Sequence, residues 1–528
     1  MQVPMQQALA SSHRRRFLGI TGDDAIKCFF GGNAFIAIVV LFLICFSLGR
    51  EAFDFPSQNL ENLSDYRKAG LEYVDYLREQ VDGFMVMSRF LNDIRLQQFK
   101  KLQAEGKSDN EVQTLLQPFD AFKDKFDGLI SPHQSILSDW TTEVSDLKDR
   151  LKANEDALVS KRTLLNAGMK EQADAVEVAQ VDFVKETATL RQSFPQYQEL
   201  NQTLRGSLQE LVGSLPTLPS SNLGVKLDRF KIWVSEYTAT FPIVEAKMQA
   251  WDPSRPIPFY KSITAFLFGA QWVTASFWQD WYGLLPLLMG SICISFVALM
   301  IAVPFGLCAA IYVNQIAKPL EQGIIKPYIE FISAIPSVVL GFFGIAVLGR
   351  VIVVCSHWAI FSWVPGFPVD GGLTIFTAGC LLAFMSVPTI FTLAEDALNN
   401  VPRSYIEAST ALGSTKLQTI SKIMVPAALS GIISAILLGL GRVIGETMVV
   451  LLCAGNRIQI PDFTKGISAI FQPAHTMTGI IAQEMGEVVT GSTQYRALFM
   501  VGVMLFLISL LINYLAQLVV KKYKISIG

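Results

Sequence analysis

The chain has 528 residues, of which 51% are hydrophobic and 17% are charged, and its formal net charge is −2 at pH 7. This composition is typical of a membrane protein that also has a soluble portion, and the lack of a basic patch argues against a nucleic-acid-binding protein. The cysteines and histidines are scattered, with no CxxC or HExxH spacing and no cysteine between Glu51 and Trp281. We therefore expect no metal site, and no disulfide framework in that polar region.

The first predicted element is an apolar segment, Cys28–Leu48, which follows the basic stretch HRRR at 13–16. It is long enough to cross a bilayer, and no small-residue cleavage pattern follows it. We therefore interpret residues 28–50 as an uncleaved transmembrane helix and residues 1–27 as a cytoplasmic N-terminal segment.

Residues 51–260 are polar and too long for an unstructured connection, so a folded insertion is expected here. Helical periodicity is present in Leu60–Leu102, a turn is predicted at Asn166–Gly168, and a returning helix is predicted from Val176 to Phe194. Apolar residues also recur with heptad spacing at Leu137, Trp140, Val144, Leu147, Leu151, Leu158 and Leu165. The pattern predicts an α-helical hairpin or bundle, and its heptads favour core packing over a partner-binding coil.

Residues 261–528 contain the remaining apolar segments and are predicted to form a transmembrane domain of five helices. The predicted spans are Gly283–Val313, Pro327–Val347, Leu373–Leu393, Leu429–Ala454 and Ala497–Val520. Lysine and arginine are concentrated in the connections on the side of the N-terminus, which predicts that both termini are cytoplasmic and that the insertion is external. The expected fold class is all-α: a polytopic membrane protein with six transmembrane helices and a large external helical insertion.

The connection before the fifth span, residues 401–428, has strong local signals. Ser404-x-x-Glu407 has the pattern of a capping box, and Gly413 suits the left-handed residue that ends a helix. Thr415-x-x-Gln418 predicts a second helix start, and Pro426 is expected to interrupt that helix. The sequence thus predicts a short helix that lies across the cytoplasmic face.

This connection resembles the EAA loop of bacterial binding-protein-dependent ABC importer permeases. The residues that carry the resemblance are Glu407, Ala408, Ser409, Gly413, Ile423 and Pro426. Ser409 stands where the second alanine of the motif is usual, and Val425 stands where leucine is usual. The resemblance implies the type I ABC importer permease fold, with this loop seated in a groove of a separate ATPase subunit.

Further strings are similar to one branch of that family, the phosphate importer permeases of the PstC type. They are FLFGAQW (266–272), YGLLPLLMGS (282–291), AIPSVVLGFFG (334–344), LAEDALNNVPRSYIEAS (393–409) and GLGRVIGETM (439–448). The resemblance implies a second permease of the PstA type, a PstB-type ATPase dimer, a PstS-type phosphate-binding protein and a PhoU-type regulator as partners. Because the chain has no G-x-x-x-x-G-K-[ST] loop, we expect no catalytic site and no cofactor on this subunit; ATP would be bound by the partner.

Arg442 and Glu446 lie within the fifth predicted span, where ionisable residues are costly and usually face a protein interior or a water-filled path. Their spacing places them on one face of a continuous helix, pointing into the helix bundle, and the adjacent Gly441-x-x-x-Gly445 would allow a neighbouring helix to approach. One interpretation is an intrahelical ion pair that fixes helix packing. The other, which the resemblance favours, is a substrate path that includes Thr447, with Arg442 attracting phosphate and Glu446 preventing it from binding too tightly.

Two other functions remain open from the residues. A permease of the same class for sulfate, molybdate or phosphonate would show similar motifs. A phosphate-sensing membrane receptor would also have an external helical bundle between membrane spans. The inner segments of this chain are short connections and a short tail, which favours transport over signalling.

Overall fold

The computed structural model describes residues 22–166, 168–178, 181–216, 221–274, 276–361, 364, 367–369 and 371–523. Most of the predicted N-terminal cytoplasmic segment and part of the predicted turn at 166–168 lie outside the described residues. The described chain is almost entirely helical, which confirms the all-α class. Its contacts divide it into two compact units. The membrane unit comprises residues 1–58, 263–272 and 281–528, and the helical unit comprises residues 59–262 and 273–280.

The first part of the chain contains a long apolar helix, then the helices of the helical unit, and last a helix that lies mainly in the membrane unit. These are α1 (Gly22–Phe53), α2 (Phe55–Lys68), α3 (Leu71–Ala104), α4 (Asp109–Gly128), α5 (Ser131–Asn166), α6 (Lys170–Asp174), α7 (Phe183–Glu186), α8 (Ala188–Gln192), α9 (Phe194–Gly213), α10 (Ser221–Gln249) and α11 (Phe259–Phe268). Two short strands, β1 (Trp272–Val273) and β2 (Trp281–Tyr282), pair with each other.

The rest of the chain contains the other membrane helices. They are α12 (Leu285–Ile311), α13 (Pro319–Ser333), α14 (Ser337–Phe343), α15 (Gly349–Ser356), α16 (Ile375–Asn399), α17 (Arg403–Ala411), α18 (Lys416–Thr419), α19 (Val425–Ala427), α20 (Leu429–Gly445), α21 (Met448–Cys453), α22 (Met477–Glu484) and α23 (Thr493–Tyr523). Single π-turns follow α12, α14 and α18, and 3₁₀ turns occupy Ala359–Phe361 and Phe463–Phe471.

The helical unit is a bundle whose core is rich in aromatic side chains. Phe84 of α3 stacks on Phe126 of α4 with ring centroids 4.4 Å apart, and Phe126 meets Phe230 of α10 edge-on at 5.4 Å. Trp140 and Val144 of α5 are buried as the heptad pattern predicts. Aromatic rings contribute the largest apolar areas to a core, so these contacts account for much of the packing of the bundle.

The predicted return of the chain after α5 is wrong in its form. Instead of one helix from Val176 to Phe194, the described residues form the short helices α6, α7 and α8 before α9 begins at Phe194. Leu158 and Leu165, in the last turns of α5, are 44% and 45% exposed. The heptad stripe is a core stripe only in the first part of α5.

A layer of polar side chains crosses the bundle core. Gln80 Nε2 donates to Asn201 Oδ1 (2.7 Å), which also lies 3.1 Å from His133 Nε2, and Asn201 Nδ2 donates to Glu245 Oε1 (2.9 Å). Tyr197 Oη donates to Gln80 Oε1 (2.5 Å). Burial lowers the pKa of His133, because the charged imidazolium is disfavoured away from water. The layer joins α3, α5, α9 and α10 through one connected network.

The segment after β1 packs against the helical unit although it precedes a membrane helix. Trp278 Nε1 donates to Asp75 Oδ1 (2.9 Å), and the guanidinium of Arg78 lies 3.7 Å above the Trp278 ring while pairing with Asp75 (3.1 Å). Tyr66 Oη donates to the other Asp75 oxygen at 2.5 Å. Burial raises the pKa of Asp75, and the hydrogen bonds from Tyr66 and Trp278, together with the charge of Arg78, oppose that shift.

Among its described residues, the membrane unit has five helical segments long and apolar enough to span a bilayer, and a bent pair of segments supplies a sixth. This agrees with the predicted six spans. The third span begins at Ser337 and reaches Ser356, later than the predicted 327–347, because Pro336 disfavours helix at the residue before it and separates α13 from α14. The bent pair is Lys416–Ala427 with Leu429–Gly445, at 69°.

Helix α16 lies at the centre of the membrane unit, because 67% of the residues in its most apolar stretch are buried. In the first span, which contains α1, none of the residues of the corresponding stretch is buried. Helix α20 packs closely on it through glycines: a Cβ added at Gly431 would lie 2.4 Å from the Cβ of Ala397, and one at Gly439 would lie 2.9 Å from Ile390. These glycines, and not the expected Gly441 and Gly445, make the close approach. Both expected glycines face open space within this chain.

Candidate functional site

The fifth span is broken where the sequence places its ionisable residues. Helix α20 ends at Gly445, and Glu446 has an extended backbone (φ −74°, ψ 132°) before α21 begins at Met448. Arg442 and Glu446 are therefore not on one face of a continuous helix, and that prediction is wrong. The described residues contain no ion pair between them.

Side chains stabilise the break at Glu446. Its Oε1 accepts from the backbone N–H of Met448 (3.2 Å), so the carboxylate satisfies one of the free amides at the start of α21. Its backbone carbonyl accepts from Thr478 Oγ1 of α22 (2.9 Å). The Thr447 hydroxyl lies 3.5 Å from the Gly445 carbonyl oxygen, and the Thr447 carbonyl accepts from the backbone N–H of Leu451 (2.9 Å). Glu446 thus holds the two helix segments in place instead of pairing with the arginine.

Arg442 lies in the last turn of α20, on the exposed face that also carries Leu438, Gly441 and Gly445. The buried face of the helix is formed by Ile432, Ala435, Gly439 and Val443. The sequence predicted that Arg442 points into the helix bundle, but in the structure it does not point into the bundle of this chain. Instead it reaches across to α16, where its Nη1 donates to Thr389 Oγ1 (2.9 Å).

Thr389 is the residue that sequence reasoning missed. It directly follows Pro388, which lies inside α16, and threonine is common in membrane helices, so nothing local marked it. Only the packing of α20 against α16 brings it to Arg442. The site as a whole combines a guanidinium with a neutral hydroxyl partner and a helix break held by Glu446.

The second predicted region, residues 401–428, folds as two short helical arms. Helix α17 begins at Arg403 after Pro402, and no side chain caps it, so the predicted capping box at Ser404 and Glu407 is wrong. Ser404 falls inside the first turn because the helix begins one residue earlier. Glu407 and Ala408 are exposed on α17.

The turn between the arms agrees with the sequence. Gly413 has φ 79°, the left-handed conformation that favours glycine, and Thr415 and Gln418 form a capping box at the predicted start of the second helix, α18. Ser409 and Thr419, both buried, lie with their hydroxyl oxygens 2.9 Å apart and join the two arms.

Four of the six residues that carry the resemblance to the EAA loop line one open groove of about 460 Å³. They are Ala408, Ser409, Ile423 and Pro426. Leu412, which also lines the groove, is 87% exposed at the end of α17. Large exposed apolar residues beside a groove are a feature of surfaces that bind another protein.

Comparison with known proteins gives the family. The model of the family described as "Binding-protein-dependent transport system inner membrane component" matches residues 302–525. The probable ABC transporter permease protein YqgH of Bacillus subtilis is 35% identical over 241 residues, which cover 45% of this chain and 72% of that protein. The phosphate transport system permease protein PstC of Pasteurella multocida is 30% identical over 281 residues, which cover 52% of this chain and 83% of that protein.

Among solved structures, a chain of the inward-facing MetNI methionine ABC transporter aligns with 46% of this chain and 95% of its own length, at 21% identity and a TM-score of 0.34. The matched parts of the relatives correspond to about half of this chain and to most of their own length. With its apolar spans and its EAA-like loop, the chain therefore belongs to the binding-protein-dependent transport system inner membrane component family, in its branch of PstC-type ABC importer permeases.

Proposed function

We propose that this chain is the permease subunit of an ATP-driven importer of inorganic phosphate. The observation that carries the proposal is Arg442: an arginine inside a membrane span, on the exposed face of α20, with no acidic partner among the described residues. Such a residue is costly against lipid, so it is expected to face a water-filled path or another protein surface. Its charge attracts an anion, and the PstC-type relatives support phosphate as that anion.

Glu446 gives the path a means of distinguishing phosphate from sulfate. One of its carboxylate oxygens caps α21, which leaves the other to accept a hydrogen bond from a protonated phosphate oxygen. Sulfate has no such proton near neutral pH. A negative charge four residues along the chain from Arg442 also limits how tightly an anion is held, which transport requires because the ligand must leave.

The exposed face of α20 supports an assembly with further subunits. In the proposed importer, a PstA-type permease covers that face and completes the path, and a PstB-type ATPase dimer docks on the groove of the loop 401–428. A PstS-type binding protein delivers phosphate, and a PhoU-type protein is a candidate regulator. The protein would lie in the bacterial inner membrane, with both termini cytoplasmic and the helical unit outside.

The test is uptake of labelled phosphate by cells that depend on this importer. Arg442→Gln is expected to abolish most uptake because the charge that attracts the anion is lost, and Glu446→Gln is expected to weaken the preference for phosphate over sulfate. Arg457→Gln, which removes an exposed arginine of the membrane unit that lies outside the spans, serves as the matched control and should leave uptake unchanged.

Wild-type uptake by Arg442→Gln, at normal protein levels, would refute the role of Arg442. Sulfate, molybdate and phosphonate are tested as competitors of phosphate in the wild-type protein. Stronger competition by one of these anions than by unlabelled phosphate would assign the permease to that anion instead.

A further inference from the structure

We propose that Thr389 is a positioning residue that orients Arg442 so that one defined edge of its guanidinium binds a tetrahedral oxyanion with two hydrogen bonds. The inference rests on the proposed function, because it concerns the same site. It adds a residue on a different helix and a binding geometry.

The anchor lies on a rigid element. Thr389 belongs to α16, the buried helix at the centre of the membrane unit, between the buried residues Pro388 and Ile390. Ile390 in turn packs against Gly439 of α20, where an added Cβ would approach to 2.9 Å. The hydrogen bond from Arg442 therefore spans two helices that are in close contact just beside it, so the position of the Thr389 hydroxyl is well defined relative to α20.

The hydrogen bond also determines which part of the guanidinium is free. Arginine presents its N–H groups in a fixed planar fork, and the edge formed by Nε and Nη2 binds two oxygens of one anion side by side. In Arg442 the Nη1 is used by Thr389, and the Nε–Nη2 edge has no partner among the described residues. The anchor occupies the part of the fork that the anion does not need.

The same edge binds oxyanions elsewhere in this chain. In the helical unit, Arg67 donates from Nε and Nη2 to the two carboxylate oxygens of Glu72 at 2.6 and 2.9 Å. Arg95 binds Asp120 in the same way at 2.5 and 2.9 Å. At Arg442 no carboxylate of the described residues occupies this edge, so it is available to an anion from outside the chain.

The uncharged side chain of Thr389 leaves the positive charge of Arg442 available to the transported anion. An aspartate or glutamate in place of Thr389 would neutralise the guanidinium and compete with the transported anion for it. A threonine hydroxyl accepts one hydrogen bond and leaves the full positive charge for the ligand. The pair therefore combines fixed orientation with an uncompensated charge, which suits a tetrahedral oxyanion that offers two oxygens to one edge.

The experiment measures the concentration dependence of labelled phosphate uptake by the complete importer with Thr389→Val, Thr389→Ser and Arg442→Lys. Valine has the shape of threonine and removes only the hydroxyl, so KM should rise about tenfold, the effect of losing a hydrogen bond to a charged group, while the maximal rate changes little. Serine keeps the hydroxyl and should restore KM to within about twofold of wild type. Lysine keeps the charge but has no paired edge, so KM should rise at least as much as in Thr389→Val.

The double variant Arg442→Lys/Thr389→Val identifies the route of the effect. If Thr389 acts through the arginine fork, adding Thr389→Val to Arg442→Lys should raise KM no further. A wild-type KM in Thr389→Val, a failure of serine to rescue it, or an undiminished effect in the lysine background would each overturn the inference. Normal uptake by Arg442→Gln would instead refute the role of Arg442 in the proposed function, so the two failures are distinguishable.

Discussion

Replacing either hydroxyl of the pair that joins the arms of the loop 401–428 should destabilise the membrane unit. Ser409 and Thr419 are 7% and 3% exposed, and each hydroxyl is the described partner of the other at 2.9 Å. Ser409→Ala or Thr419→Val leaves one buried hydroxyl without a partner, at a cost of about 1–3 kcal/mol. The double variant removes both hydroxyls together and should recover most of that loss, because no polar group is then left buried and unpaired.

The measurement is thermal unfolding of the purified protein in detergent, with all four members of the cycle compared under one condition. A change of 1 kcal/mol shifts the midpoint by about 2–4 °C in proteins of 150–250 residues and by less in longer chains, so each single variant of this 528-residue protein should lower it by about 1–3 °C. The coupling between the two residues should amount to about 1 kcal/mol or more in favour of the double variant. Thr410→Val, which alters an exposed hydroxyl of the same helix, is the matched control.

Additive losses would refute this reasoning. If the double variant is destabilised by the sum of the single effects, each hydroxyl acts independently and the 2.9 Å contact does not hold the arms together. Unchanged midpoints in both single variants would have the same consequence.

Two further outcomes follow from backbone conformation and from burial. Gly413→Ala should lower the free energy of unfolding by about 1 kcal/mol because alanine is strained at φ 79°, whereas Gly413→Asn should lower it less. An added Cβ meets nothing within 4 Å, so the loss would come from backbone strain alone. Equal thermal midpoints for the alanine variant and wild type would exclude strain at this turn. Burial holds the pKa of His133 below its ordinary 6.5, so in acid the unfolded chain binds more protons than the folded chain. The stability contributed by neutral His133 is therefore complete above about pH 6.5 and declines as the pH falls towards the folded-state pKa. The free energy of unfolding, followed by tryptophan fluorescence, should fall more between about pH 7.5 and about pH 5.5 in wild type than in His133→Gln. His133 contributes through the polar layer that it shares with Asn201, Tyr197, Gln80 and Glu245. Equal decreases in the two proteins would contradict this.

Features that depend on a few neighbouring residues could be predicted from the sequence. The apolar spans follow from length and composition, and the turn at Gly413 and the capping box at Thr415 follow from local backbone chemistry. The error at Ser404 has the same local origin: Pro402 allows α17 to begin one residue early, so a motif with the right spacing does not stand at the helix end.

Features that depend on distant partners could not be predicted. Hydropathy gives no indication that the helix stops at Gly445, because the break is held by a hydrogen bond from Thr478, 32 residues along the chain. The role of Thr389 depends likewise on Arg442, 53 residues away. The sequence identified the arginine by its cost in a membrane, but its orientation and its partner are products of helix packing.

The packing of Trp278 bears on the order in which this protein can be made. Its hydrogen bond with Asp75 closes a separation of 203 residues, and the segment 273–280 joins the helical unit only after α11 has been synthesised. The bundle therefore cannot complete its packing until the chain just before α12 has been synthesised, because until then the Asp75 carboxylate lacks its indole partner. A fragment of residues 59–262 alone would leave Asp75 without its indole partner, so an isolated version of the bundle has to include residues 273–280 as a second piece.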